Sequence, residues 1–151
     1  MQLNGKQELN ATASVIWKIL LDPESLARVL PGVKSLERSG ENLFRSVFKI
    51  SIGPVSGSFA GTLMMEDMVE EQSALIKMQQ DSSIGKVRAE VKLELLPIDD
   101  RRTELKFDGH AKISGMLASI GQRIIQTVAS TLTKEFFVNM EKELADSKTV
   151  K

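Results

Sequence analysis

The sequence predicts an α+β domain: a curved antiparallel sheet of about seven strands wrapped on one long C-terminal helix, with two short helices after the first strand. Three observations predict it. Residues 86–95 and 103–113 alternate apolar and polar side chains with period two, the pattern of strands with one wet face. Turn-forming clusters of Gly, Ser, Asn and Pro separate further apolar runs. From Met116 onward Ile120, Ile124, Val128, Leu132, Phe136, Met140 and Leu144 recur at every fourth position, as on one stripe of a helix.

Taken in order, residues 2–9 read as the first strand. Asn10 or Thr12 then caps a short helix through ASVIWKILL (13–21), in which Val15, Ile16, Ile19 and Leu20 share a face. Trp17 lies off that face, and the pattern leaves open whether it packs on the sheet end or meets water. Asp22 caps a second short helix, with Pro23 at its first position and Pro31-Gly32 as its stop.

Beyond residue 32 the period changes to two. Weaker strand patterns occupy 33–39, 43–52, 58–69 and 73–81, separated by the turns SGEN (39–42), GPVSG (53–57), EEQS (70–73) and SSIG (82–85). In the two strongest strands Val87, Ala89, Val91, Leu93 and Leu95, then Leu105, Phe107, Gly109, Ala111 and Ile113, form a dry face that needs a cover.

The C-terminal helix supplies that cover, with Leu117, Ile125 and Ala129 widening its stripe. Its opening, SGMLASIGQRI (114–124), carries Gly115 and Gly121 where alanine would favour a helix interior by about 1 kcal/mol. A straight helix over a strongly curved sheet touches one part and stands off another, so a gap is expected beneath its first half. Residues 1–145 form one domain and 146–151 a frayed tail.

Composition narrows the function. Twenty basic residues balance twenty acidic ones, and a split at residue 75 gives seven basic and nine acidic, then thirteen and eleven. Neither half is a basic module for nucleic acid. The absence of cysteine excludes disulfides and thiolate metal sites and fits a cytoplasmic location. No secretory signal or spanning run of apolar residues is present.

Catalysis has little to work with. There is no Tyr, and the one His, His110, alternates in phase with Asp108 and Lys112 and so faces water. Ser46 and Ser58 have no His or Asp at a telling spacing, and the carboxylates of EDMVEE (66–71) spread over both faces of a strand. No catalytic residue, metal ligand or cofactor is assigned.

The order of elements resembles the helix-grip fold of the START/Bet v 1-like superfamily, which includes polyketide cyclases. Within it, VIWKILLDPESLARVLPGVKSLE (15–37), VFKISIGPVSGSFAGTL (47–63), ISGMLASIGQRII (113–125) and the FF at 136–137 resemble CoxG, a family named for the carbon monoxide dehydrogenase system. That resemblance implies an apolar cavity without a cofactor, membrane recruitment of a molybdenum hydroxylase, and handling of a lipophilic quinone or lipid-like molecule. Peripheral contact with the inner face of the cell membrane follows from it. Many members continue past the helix into a linker and a membrane-associating segment, whereas this sequence ends at Lys151.

The expected cavity wall is Phe48, Ile50, Phe59, Leu63, Met78, Val91, Leu105 and Phe107 on strands, with Met116, Leu117, Ile120, Ile124 and Val128 on the helix. Gln79 or Gln80, and Gln122 or Arg123, are the polar side chains within reach of a ligand's oxygen. Met64, Met65 and Met68 serve either as pliable wall or as core filler. Turns 53–57 and 82–85 and the helix start fall at one end of the sheet, so Gly53, Pro54, Gly57, Gly85 and Gly115 ring a candidate mouth, unless those glycines are only turn residues. The expected roles, in order, are a carrier of a lipophilic molecule, an adaptor for a hydroxylase, and a cyclase-like enzyme.

Overall fold

A computed structural model describes residues 1–149. Seven strands, β1 (Gln2–Leu9), β2 (Val33–Gly40), β3 (Leu43–Ile52), β4 (Val55–Val69), β5 (Ser73–Ser82), β6 (Gly85–Pro97) and β7 (Thr103–Ser114), form one antiparallel sheet ordered β1-β7-β6-β5-β4-β3-β2. β1 and β2 thus follow one another in the chain but lie on opposite edges. The helices α1 (Ala13–Leu21) and α2 (Pro23–Val29) make that crossing.

Local chemistry explains both helices. The Thr12 side chain accepts from Val15 N, and α1 buries Ile16, Trp17, Ile19 and Leu20; Trp17, at 6% exposed, belongs to the core. Asp22 ends α1 and caps α2, its carboxylate accepting from the Ser25 amide at 3.0 Å and the Ser25 hydroxyl at 2.8 Å. These bonds favour the ionised form and hold Asp22 below the ordinary carboxylate range.

The period-two strands pair by their dry sides: Val87 with Ile113, Ala89 with Ala111, Leu93 with Phe107 and Leu95 with Leu105. The β3–β4 turn is shorter than the sequence predicts. Ile52 pairs with Val55, so β4 begins three residues early and the loop is Gly53-Pro54 alone, Gly53 taking the positive φ (54°) that such a loop needs at its first position.

The C-terminal helix differs more. It is not continuous from Met116: a single turn, α3 (Met116–Ser119), is followed by a break, and α4 (Gln122–Thr149) starts afresh. Gly121 has φ 107°, a value no helix interior holds, and its carbonyl accepts from Ile125 N to open α4. The glycine that reads as a weak helix position is the joint between two helices. At the other end α4 covers 146–149, which the sequence reads as frayed; residues 150 and 151 lie outside the described ones.

The core divides into two halves. Beneath the C-terminal part of α4, with Met140, Phe137 and Leu144, the interior is filled: Leu9, Ile16, Val29, Phe44 and Leu105 are fully buried there. Arg28 on α2 clamps this half, its Nε and guanidinium nitrogen each 2.7 Å from an oxygen of Glu143. The hydrogen bonds to Arg28 hold the Glu143 carboxyl below its usual value despite opposing burial. A lowered folded-state pKa stabilises the fold above the ordinary carboxylate value of 4.5, and that contribution fades as pH falls through the folded value. We therefore expect Arg28→Met to cost about 1 kcal/mol at neutral pH, a modest figure because Arg28 is largely exposed, and to cost progressively less as the pH falls below 4.5 and through the folded value. Urea melts of both proteins across that range check it; a pH-independent gap would count against the charge-assisted clamp.

Candidate functional site

The other half of the interior is hollow. Between the concave face of the sheet and the first half of α4 lies a cavity of about 370 Å³. The strands build it by alternation: inward positions of β4 read Val55, Gly57, Phe59, Gly61, Leu63 and Met65, so a glycine stands between large side chains. Ala89 on β6 with Gly109 and Ala111 on β7 repeats the pattern. Ala89 and Ala111 keep the centre of the curved face low beneath the helix, whereas Gly61 and Gly109 let neighbouring strands approach, a Cβ on Gly61 falling 1.7 Å from Gln79 O and one on Gly109 2.0 Å from Glu90 O.

Of the side chains expected on the wall, Phe48, Ile50, Phe59, Leu63, Met78, Val91, Phe107, Leu117 and Val128 line the cavity. Leu105 is fully buried but packs in the filled half. Met116 is 69% exposed and Ile124 43% exposed, and neither they nor Ile120 line the cavity. The reason is geometric. A four-residue repeat advances about 40° per step beyond a full helical turn, so Ile124, one step before Val128, stands outside the inward face onto which Val128, Leu132 and Phe136 wind. The face that α4 turns inward carries Ile125, Val128, Ala129, Leu132, Thr133 and Phe136. Met65 also lines the wall, while Met64 is partly exposed on the outer face.

The candidate mouth divides too. Space around Gly53 and Gly57 is open, and Val55 between them lines the cavity. Gly85 and Gly115 instead close their corner. A Cβ on Gly85 would sit 2.2 Å from the Ser114 carbonyl oxygen, one on Gly115 2.9 Å from Gly85 Cα, and Leu117 N donates to Ile84 O at 2.6 Å across the same junction. These two glycines permit close backbone approach and seat Leu117; they do not form an opening.

Among the described residues, the polar side chains on the wall are two, Gln80 and Thr133. The Thr133 hydroxyl donates to Ala129 O at 2.9 Å within α4. Gln80 is 3% exposed; its Nε2 donates to Ser46 Oγ at 2.8 Å and lies 3.5 Å from Thr62 O. Gln79, Gln122, Arg123 and His110 are exposed and away from the wall. Among the described residues no titratable side chain lines the cavity, and no three His, Asp or Glu side chains gather to hold a metal. Such a site excludes water and holds apolar surface. No described helix is long and apolar enough to cross a membrane.

Solved structures share this architecture. A conserved protein from Geobacillus kaustophilus is 33% identical with a TM-score of 0.93 over 97% of both chains. A START superfamily protein from Mycobacterium smegmatis matches at 15% identity and TM-score 0.77, over 96% of this chain and 97% of that one. An aromatase/cyclase, Zhui, from Streptomyces sp. R1128 matches at 11% and 0.62, over 97% and 92%. At such low identity the last two show the fold alone, the START/Bet v 1-like helix grip. No curated protein matches the chain. The family model for CoxG, the G component of carbon monoxide dehydrogenase, matches residues 5–145. That span holds the motifs and nearly the whole order of elements, and the chain belongs to the CoxG family.

Proposed function

We propose that this chain is a non-catalytic carrier whose cavity holds a lipophilic small molecule, quinone or lipid-like, in support of a molybdenum hydroxylase of the carbon monoxide dehydrogenase type. The observation that carries the reading is the void itself: about 370 Å³ walled almost wholly by apolar side chains inside an otherwise filled core. Empty apolar space forfeits dispersion contacts, so a fold that keeps it gains when a ligand restores them. Each buried methylene adds about 0.8 kcal/mol before ordering costs. The family supports the hydroxylase as partner. A wall with no titratable side chain among the described residues supports carriage over cyclisation, which needs a general acid or base at the reacting atoms. Exposed Met116 and Ile124, with Arg123 beside Ile124, support brief contact with an anionic lipid surface on the cytoplasmic side.

The test is native mass spectrometry of protein purified without detergent from its own cells, together with titration of the uncharged fluorophore N-phenyl-1-naphthylamine. We expect a co-purified apolar molecule and a saturable rise in fluorescence. Protein that carries nothing and gives the probe no shelter would defeat the proposal.

A further inference from the structure

Among the described residues, the Gln80 side-chain oxygen is the buried polar side-chain atom without a hydrogen-bond partner. It belongs to the one amide on the described cavity wall. The assignment of that amide follows from its neighbours. Nε2 faces the Thr62 carbonyl and the Ser46 hydroxyl, which itself reaches toward Gly61 O at 3.5 Å. Exchanging the two ends of the amide would set Oε1 against a carbonyl oxygen, two acceptors with no proton between them.

Bracing of the sheet therefore uses Nε2, across β5, β4 and β3, and leaves Oε1 idle. An idle acceptor in an apolar interior is costly, and an apolar residue of the same size would have avoided that cost. We propose that Gln80 Oε1 is the polar anchor of the cavity, and that the ligand is an apolar molecule bearing a hydrogen-bond donor, a hydroxyl on a ring or chain. This rests on the carrier reading and narrows it. Of two molecules alike except for that group, the cavity selects the hydroxylated one: a phenol over its methyl ether, a hydroquinone over the quinone that has only acceptors to offer.

Binding of 2-naphthol and of 2-methoxynaphthalene by the intact chain separates the claims. The ether reports the apolar cavity and the difference reports the anchor. We expect wild type to prefer 2-naphthol by about tenfold, the worth of one satisfied buried acceptor. Gln80→Leu and Gln80→Met should abolish that preference while binding the ether as well as wild type does or better. Equal affinity of wild type for the two probes overturns the anchor and leaves the carrier standing, as does a preference that survives in the variants. Failure of wild type to bind either probe overturns both. The wild-type comparison needs no variant to fold.

Discussion

Truncating Met140 to alanine will lower the free energy of unfolding by about 3 kcal/mol, whereas the same truncation at Met78 will cost roughly 1 kcal/mol or less. The two side chains are chemically identical and both stand on the inner surface of the domain. They differ in what surrounds them. Met140 is 0% exposed, in the filled half beneath the C-terminal part of α4. Removing its thioether opens a new void among side chains already held by the Arg28–Glu143 clamp and by the Asn139 amide, which donates to Val29 O at 3.2 Å. Neighbours so fixed cannot collapse inward, and the cavity cost adds to the lost transfer energy. Met78 already borders a void, so its truncation enlarges an existing space and forfeits contacts on one side only. Urea denaturation with unchanged m-values measures the difference. Equal losses at the two positions would mean that the interior is packed alike throughout.

The same contrast explains how much could be read from the chain alone. The succession of strands, both short helices and most of the turns are legible because each is fixed by neighbours a few residues apart: Asp22 before Pro23, and alternation from Val87 to Leu95. Seven of the eight expected strand positions line the cavity for the same reason, since a strand's period of two admits little error over ten residues. Leu117 and Val128 line it too, but Met116, Ile120 and Ile124 do not, because a four-residue repeat carries no mark of the break at Gly121 or of its own rotation. The joint with positive φ at Gly121 cuts Ile120 off from the row, and Ile124, one four-residue step before Val128, stands about 40° further round than Val128 and outside the inward face. The glycines at strand ends speak for turns, but those within strands say more. The alanine pair Ala89–Ala111 marks the hollow, while Gly61 and Gly109 mark close approach of the neighbouring strand's backbone, where any side chain would collide. Gln80 is legible only as one of two adjacent amides. Which of the two turns inward depends on the register of β5 with β4, where Gln80 stands opposite Gly61.

Filling the hollow is the complementary experiment, and it moves stability and binding in opposite directions. The double substitution Ala89→Phe with Val128→Phe will reduce affinity for N-phenyl-1-naphthylamine at least ~30-fold and raise the thermal midpoint by a few degrees. Ala89 lies across from Met78 and Ala111 on the neighbouring strands, and Val128 faces the same space from α4, so the two rings approach one another through the void. Strand and helix backbone hold phenylalanine without strain, and neither ring introduces a polar atom that would need a partner. In a filled core the same change would overpack and cost about 1–3 kcal/mol; here it should contribute about 0.5–2 kcal/mol, because the rings recover dispersion contacts that the wild-type wall lacks. A destabilised variant would mean that the walls have no room, and a stabilised variant that still shelters the probe would place the binding site elsewhere. The variant also divides carriage from docking. Its outer surface is untouched, so capture of a hydroxylase should survive while the apolar cargo that co-purifies with wild type disappears. If cargo and capture vanish together, the ligand is part of what the partner recognises.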